Sequence, residues 1–314
     1  MQRRLLTQNT AKRARHAETG YIGLPDPKKE QVRRIHGLEE LTGEDYGFEV
    51  RPWDGKTPFP IVDRAGTIIG VAIGHPEDDE WDQLHQHAAE CLEQARQCPK
   101  AELSEDNMRR GGLDMSMRCL AWGRADTPQE LLEHQSDGGF ARIPQLTALL
   151  PTSGIVYFVW APALHKHYCE ELSKLQAHDP SLRRAFEASV FMAMTYNLGP
   201  QTVCFRHLDS GNLAYGWCVI TSLEFPPGST ILIPSALIHH SNTPINKGET
   251  RYSFTQCASG GLFRWVDHRF TTVEAHRASL SKQELAELDK RNAARWAMGL
   301  VKLPRMPWVP GPDV

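Results

Sequence analysis

The sequence predicts an α+β fold: a β-rich jelly roll, sandwich or barrel over residues 190–256, flanked by helices. Three observations lead there. Apolar residues recur at helical spacing before this region. Short β-branched runs punctuated by Gly and Pro fill it, at Asn197-Leu198-Gly199-Pro200, Pro226-Pro227-Gly228, Pro234, Pro244 and Gly248. After it, Ser281-Lys282-Gln283-Glu284 reads as a capping box opening a helix to about Met298.

From the N-terminus, residues 1–20 read as helical, ending near Gly20, and Pro25 and Pro27 then break the chain. Residues 58–74 read as a β-hairpin, with Asp63-Arg64-Ala65-Gly66 as the turn between β-branched runs. Trp81, Leu84, Ala88, Leu92 and Ala95 form the stripe of an amphipathic helix over 79–97. His85 and His87 within it face different sides and read as surface histidines. Residues 99–112 read as a polar linker. Leu164, Tyr168, Leu172 and Leu175 mark another helix, with His165 and His167 as ordinary helix residues. Ser181 caps a further helix to about Ala188. The tail, with Pro304, Pro307, Pro310 and Pro312, reads as extended. The chain divides into a basic helical arm (1–36), a mixed α/β region (37–140), the β core with supporting helices (141–272), and a C-terminal helix with its tail (273–314).

Bulk properties narrow the functional class. The chain has 314 residues, a formal net charge of −3 and 40% apolar residues, with a mean hydropathy of −0.44. Its longest apolar run, Gly154 to Leu164, contains Pro162 and is too short for a bilayer span. No hydrophobic signal segment follows Met1-Gln2-Arg3-Arg4. Seven cysteines, with no CxxC pair, argue against a disulfide framework and a structural zinc site, and place the chain in a reducing compartment, nucleus or cytoplasm. Nine Lys/Arg between Arg3 and Arg34 stand against Glu18, Asp26 and Glu30. That arm reads equally as a phosphate-tracking segment or a solvated terminus.

The chemistry concentrates in three segments. His207-Leu208-Asp209 ends the run Thr202–Arg206; in an extended chain, residues two apart share a face, so an imidazole and a carboxylate reach one metal from one segment. Pro227–Asn242 reads as turn, strand, short break and strand, ending in the His239-His240 pair. Both histidines fit the spacing to Arg251; His240 shares the parity of Ile238 and Ala236. In Gly248–Gln256, alternation puts Arg251, Ser253 and Thr255 on one face and Tyr252 and Phe254 on the other. An arginine opening a strand interior needs an anion. Its planar fork suits a carboxylate, and Ser253 adds another bond. Two histidines and one carboxylate leave open positions on a metal, the arrangement that suits non-haem Fe(II) with 2-oxoglutarate and O₂.

Several stretches together resemble the fungal, transposon-associated branch of the TET/JBP oxygenases. They are Asn197–Val203, His207–Cys218, Glu224–Ala236, His240-Ser241-Asn242, Arg251–Gln256, Gly260–Val266, and Trp160-Ala161-Pro162 with its following helix. The resemblance covers about residues 110–270, and more loosely the hairpin. It implies a distorted double-stranded β-helix that oxidises the methyl group of 5-methylcytosine, or thymine, in DNA with Fe(II), 2-oxoglutarate and O₂. It assigns iron to His207, Asp209 and His240, and 2-oxoglutarate to Arg251, with Ser253 and Asn197 as further cosubstrate candidates. Tyr215, Trp217 and Arg206 read as core or scaffold.

One departure stands out. Members of that family carry roughly twenty more residues between Leu223 and Glu224, about two strands and a turn. The shortening predicts a formed iron site with a sheet edge left unpaired or patched by another segment. It also keeps alternatives open: a catalytically impaired relic that binds DNA or protein, the same chemistry on RNA or protein, or a cupin-like isomerase.

Overall fold

The computed structural model describes residues 5–6, 11–27, 34–74, 79–96, 154–182, 189–197, 200, 203–222 and 228–306. Short β-branched and apolar runs build one seven-stranded sheet. Its strands are β1 (Leu5–Leu6), β2 (Phe59–Val62), β3 (Ile68–Ile73), β4 (Ala193–Asn197), β5 (Cys218–Ser222), β6 (Thr230–Ile233) and β7 (Ser253–Cys257). The spatial order is β1-β2-β3-β6-β5-β7-β4. Six strands are antiparallel, and only the edge pair β1–β2 is parallel.

The hairpin β2–β3 forms as the sequence predicts. Gly66 takes the left-handed turn position at φ 78. The buried Asp63 carboxylate accepts from the backbone N–H groups of Ala65 (2.9 Å), Thr67 (2.8 Å) and Ala11 (2.8 Å). That last contact explains why the helix expected over residues 1–20 is absent from the described part of the segment. Leu5–Leu6 is a strand, Ala11–Arg13 is a single 3-10 turn, and His16 bridges Gly23. The turn is drawn onto Asp63, and His16 stacks on Trp296 at 4.4 Å. Tertiary contacts outweigh local helix propensity here.

β3 pairs with β6, so the hairpin continues the sheet formed by β4–β7 across residue 140. The edge of β6 is therefore covered by another segment. β5 and β6 pair directly, closed by Ser222 N–H to the Ser229 carbonyl (2.9 Å). Among the described residues no second sheet faces this one. The predicted strand before His207 makes no ladder over 203–206, and its pairing with the segment after Ile238 is the isolated bridge His207–His240.

Helix α1 (Leu38–Thr42) follows an N-terminal strap, Tyr21 to Asp26, and α2 (Asp79–Arg96) follows the hairpin. In α2, Ala88 and Leu92 are buried as the stripe predicts. His85 is not a surface residue: it is buried, its Nδ1 lies 2.8 Å from the Trp81 carbonyl, and its ring packs 4.5 Å from that of Trp81. Positions 81, 85, 88 and 92 fall on one helical face, so His85 shares the apolar stripe. His87 is exposed, as expected.

Residues 154–160 are helical and lead into α3 (Pro162–His178), which opens with proline in its first turn and buries Leu164, Tyr168, Leu172 and Leu175. Its inner face meets Tyr157, Phe191, Trp217 and Phe263 in an aromatic core. Burying each such ring contributes about 1.5–3 kcal/mol. α4 (Gly260–Asp267) and α5 (Val273–Ala278) are capped by Ser259 and Thr272. α6 (Lys282–Leu300) starts with the predicted capping box, Ser281 with Glu284. The chain then returns to the hairpin: Pro304 accepts from Ile68 N–H (2.8 Å), and Met306 N–H donates to Gly66 (3.0 Å). The 99–112 linker and the helix after Ser181 lie outside the described residues, apart from Leu182. No described helix is long and apolar enough to cross a membrane.

Candidate metal centre

The three predicted ligands meet. His207, Asp209 and His240 each offer a ligand atom within 4.8 Å of the other two, and they are the one such group among the described residues. Their side chains are mostly covered, at 24%, 13% and 17% exposed. The local backbone explains the convergence. His207 and His240 exchange both backbone hydrogen bonds, each 3.1 Å. Asp209 N–H donates to the Ser235 carbonyl (3.0 Å), while Asn212 closes a turn on the Asp209 carbonyl (2.8 Å) and reaches Ser235 Oγ (2.9 Å).

The hydrogen bonds also set the imidazole tautomers. His207 Nδ1 lies 2.7 Å from the Phe205 carbonyl, and His240 Nδ1 lies 3.0 Å from the Ile238 carbonyl. A carbonyl can only accept, so in the neutral ring each Nδ1 carries the proton and each Nε2 presents a lone pair. Those two atoms flank the carboxylate, at 3.7 Å from Asp209 Oδ1 and 3.6 Å from Oδ2. These separations are too long for hydrogen bonds. Two neutral imidazoles and one carboxylate, each oriented by backbone, form a donor set that suits a divalent first-row metal. The residues present could hold a divalent metal ion.

His239 belongs elsewhere: its Nε2 donates to Asp26 Oδ2 at 2.6 Å. The alternation along 238–240 therefore separates the two histidines as parity predicts, with His240 inward.

Arg251 is 9% exposed. Its backbone N–H donates to the Pro200 carbonyl (2.5 Å), and its Nη1 donates to the Thr243 carbonyl (2.7 Å), three residues beyond His240. Burial pushes its pKa below the ordinary arginine value. β7 begins two residues later, and Ser253 pairs with Asn197 of β4 in the ladder. Their side chains join, Asn197 Nδ2 to Ser253 Oγ at 2.7 Å, both buried. Ser253 and Asn197 thus form a polar pair at the end of the β4–β7 ladder, with Arg251 two residues before it. Tyr215 and Trp217 are buried in the core, and Arg206 is half exposed beside Asp26.

Two contributors are not apparent from motif spacing. One is the Thr243 carbonyl that holds Arg251. The other is Asp26, whose only signal is a carboxylate set between two prolines. No protein-family model matches the chain, and a search of curated proteins finds no match.

Proposed function

We propose that this chain is an Fe(II)/2-oxoglutarate-dependent dioxygenase of TET/JBP type, built on a distorted double-stranded β-helix, that oxidises the methyl group of 5-methylcytosine, or thymine, in DNA. The observation that carries the reading is the His207–Asp209–His240 group, with both Nε2 atoms turned to one carboxylate by backbone hydrogen bonds. The buried arginine, held to the Thr243 carbonyl three residues beyond His240, supports it.

Iron held there would supply O₂ activation coupled to oxidation of 2-oxoglutarate. The chain's own residues bind and orient. His207, Asp209 and His240 would hold the metal, and the cosubstrate and O₂ would be taken up there. Arg251 grips the distal carboxylate of 2-oxoglutarate with its fork. Ser253 and Asn197 supply neighbouring polar groups; turning the Asn197 amide lets Ser253 donate to its Oδ1 and frees the NH₂ group for an anion. A methylated base must leave the duplex stack to reach such a centre. A substrate of this kind fits a nuclear protein.

The test is incubation with Fe(II), 2-oxoglutarate and a methylated duplex, followed by nucleoside mass spectrometry and succinate measurement. The expected product is an oxidised 5-methylpyrimidine with stoichiometric succinate. Succinate without an oxidised base points to RNA or protein as substrate. Neither product favours the relic reading, which the single bridge between the ligand segments supports.

A further inference from the structure

The two ligand-bearing segments share one β-bridge rather than a ladder, joined beside it by Asp209 N–H to the Ser235 carbonyl and by Cys204 N–H to Asn242 Oδ1. A third segment lies against both. Tyr21 accepts from Ala214 N–H (2.9 Å), Ile22 bridges Leu213, and Gly23 N–H donates to the Ser210 carbonyl (2.9 Å). These contacts fall just after Asp209. On its other side the strap touches the turn before His240: a Cβ on Gly23 would lie 2.2 Å from the Ala236 carbonyl oxygen, so only glycine fits there.

At the end of the strap stands Pro25-Asp26-Pro27. The proline after Asp26 restricts it to extended backbone, so its carboxylate is presented with little freedom to lose. Asp26 Oδ2 accepts from His239 Nε2 at 2.6 Å and lies 3.9 Å from Arg206 Nη1. Those are the residues immediately before His240 and before His207. The Asp26 side chain is 12% exposed, so water screens this contact weakly.

We infer that Asp26 is a positioning residue of the metal centre, a carboxylate clamp that fixes the His207 and His240 segments against each other through Arg206 and His239. The inference rests on the metal-centre reading above. The strap does for these segments what further strands of a second sheet would do. His239, turned outward onto Asp26, leaves His240 inward by strand alternation.

Co(II) is the probe, added to the full chain under argon and followed by its visible absorption. Asp26→Ala should weaken Co(II) binding about tenfold or more, the range for losing a residue that orients ligands. Asp26→Asn keeps an acceptor for His239 and should recover most of that loss. His239→Phe should weaken binding similarly, and the double variant should be no worse than either single one. If Asp26→Ala fails to fold, His239→Phe reads the same clamp from its other end, on a side chain 31% exposed. Wild-type affinity and spectrum in Asp26→Ala, or in His239→Phe where that variant decides, overturns the clamp alone. Absence of Co(II) binding by the wild-type chain overturns the metal centre itself, and the clamp with it.

Discussion

Arg251→Lys separates a cosubstrate anchor from a structural cation. The guanidinium is 9% exposed and donates Nη1 to the Thr243 carbonyl. Burial lowers its pKa, so the folded chain holds this charge at a cost that an incoming carboxylate would offset. Lysine keeps the charge but loses the planar fork. A hydrogen bond to a charged group contributes about 1.5–3 kcal/mol. Losing one of two bonds to 2-oxoglutarate should therefore raise its Kd by about ten- to a hundred-fold, at about 1.4 kcal/mol per tenfold. The assay is titration of 2-oxoglutarate into Fe(II)-loaded protein under argon, read by the visible charge-transfer band of the chelate. His207→Ala or Asp209→Ala should abolish that band, whereas Arg251→Lys should shift its midpoint and leave iron affinity nearly intact. An unchanged midpoint in Arg251→Lys would refute the anchor and leave Arg251 as a residue that holds the 243 turn.

Three further outcomes follow from the packing and the buried imidazoles. In Gly299→Ala the new Cβ would lie 2.2 Å from the ring of Tyr215, itself 5% exposed; overpacking of this kind costs about 1–3 kcal/mol and should lower the Tm seen by calorimetry. Ser281→Ala removes the cap of α6 and should cost about 0.5–2 kcal/mol in denaturant unfolding, with Glu284→Ala costing less. His167, which faces Tyr215 at 3.2 Å, has its pKa pushed down to about 4, chiefly by burial. The unfolded chain then takes up a proton before the native one. Stability is full above about pH 6.5 and falls between there and pH 4, by on the order of 3 kcal/mol for this group. His167→Phe should flatten that part of the stability–pH curve; an unchanged slope would remove His167 from the balance.

The elements that the sequence reveals are those whose signal is local. The 58–74 hairpin carries its turn chemistry in Asp63 and Gly66, and the α3 stripe repeats over several turns. The α6 cap is complete within Ser281–Glu284. The ligand trio is legible because residues two apart share a face, which puts His207 beside Asp209, while parity together with the family resemblance favours His240 over His239. What escapes the sequence depends on distant partners. Residues 1–20 carry a helical pattern, yet Ala11 is drawn to Asp63 and His16 to Trp296. His85 looks polar but shares a face with Trp81 and Ala88. Among the described residues the β-rich region forms one sheet, and β3, from far earlier in the chain, lies on the edge of β6. Asp26 is invisible as a site residue, since its partners lie 180 and 213 positions away.

These long-range contacts share a physical logic. Among the described residues β5 pairs directly with β6, and the ligand segments share a β-bridge rather than a ladder. N-terminal residues support these segments at two levels. β3 covers the edge of β6, the strand that leads through the Pro234–Ile238 turn to His240, and so removes an unpaired edge that would invite slippage or aggregation. The strap from Tyr21 to Asp26 then spans the segments themselves and fixes the turn after Asp209 against the turn before His240. The strap is in turn held by α6 and α4: Arg295 lies 3.7 Å over the Tyr21 ring and donates to the Thr19 carbonyl, while Tyr21 donates its hydroxyl proton to Asp267. The order of the His207–Asp209–His240 group therefore depends on N-terminal and C-terminal segments packing onto the central sheet, because a group with so few ladder hydrogen bonds takes its rigidity from tertiary contacts.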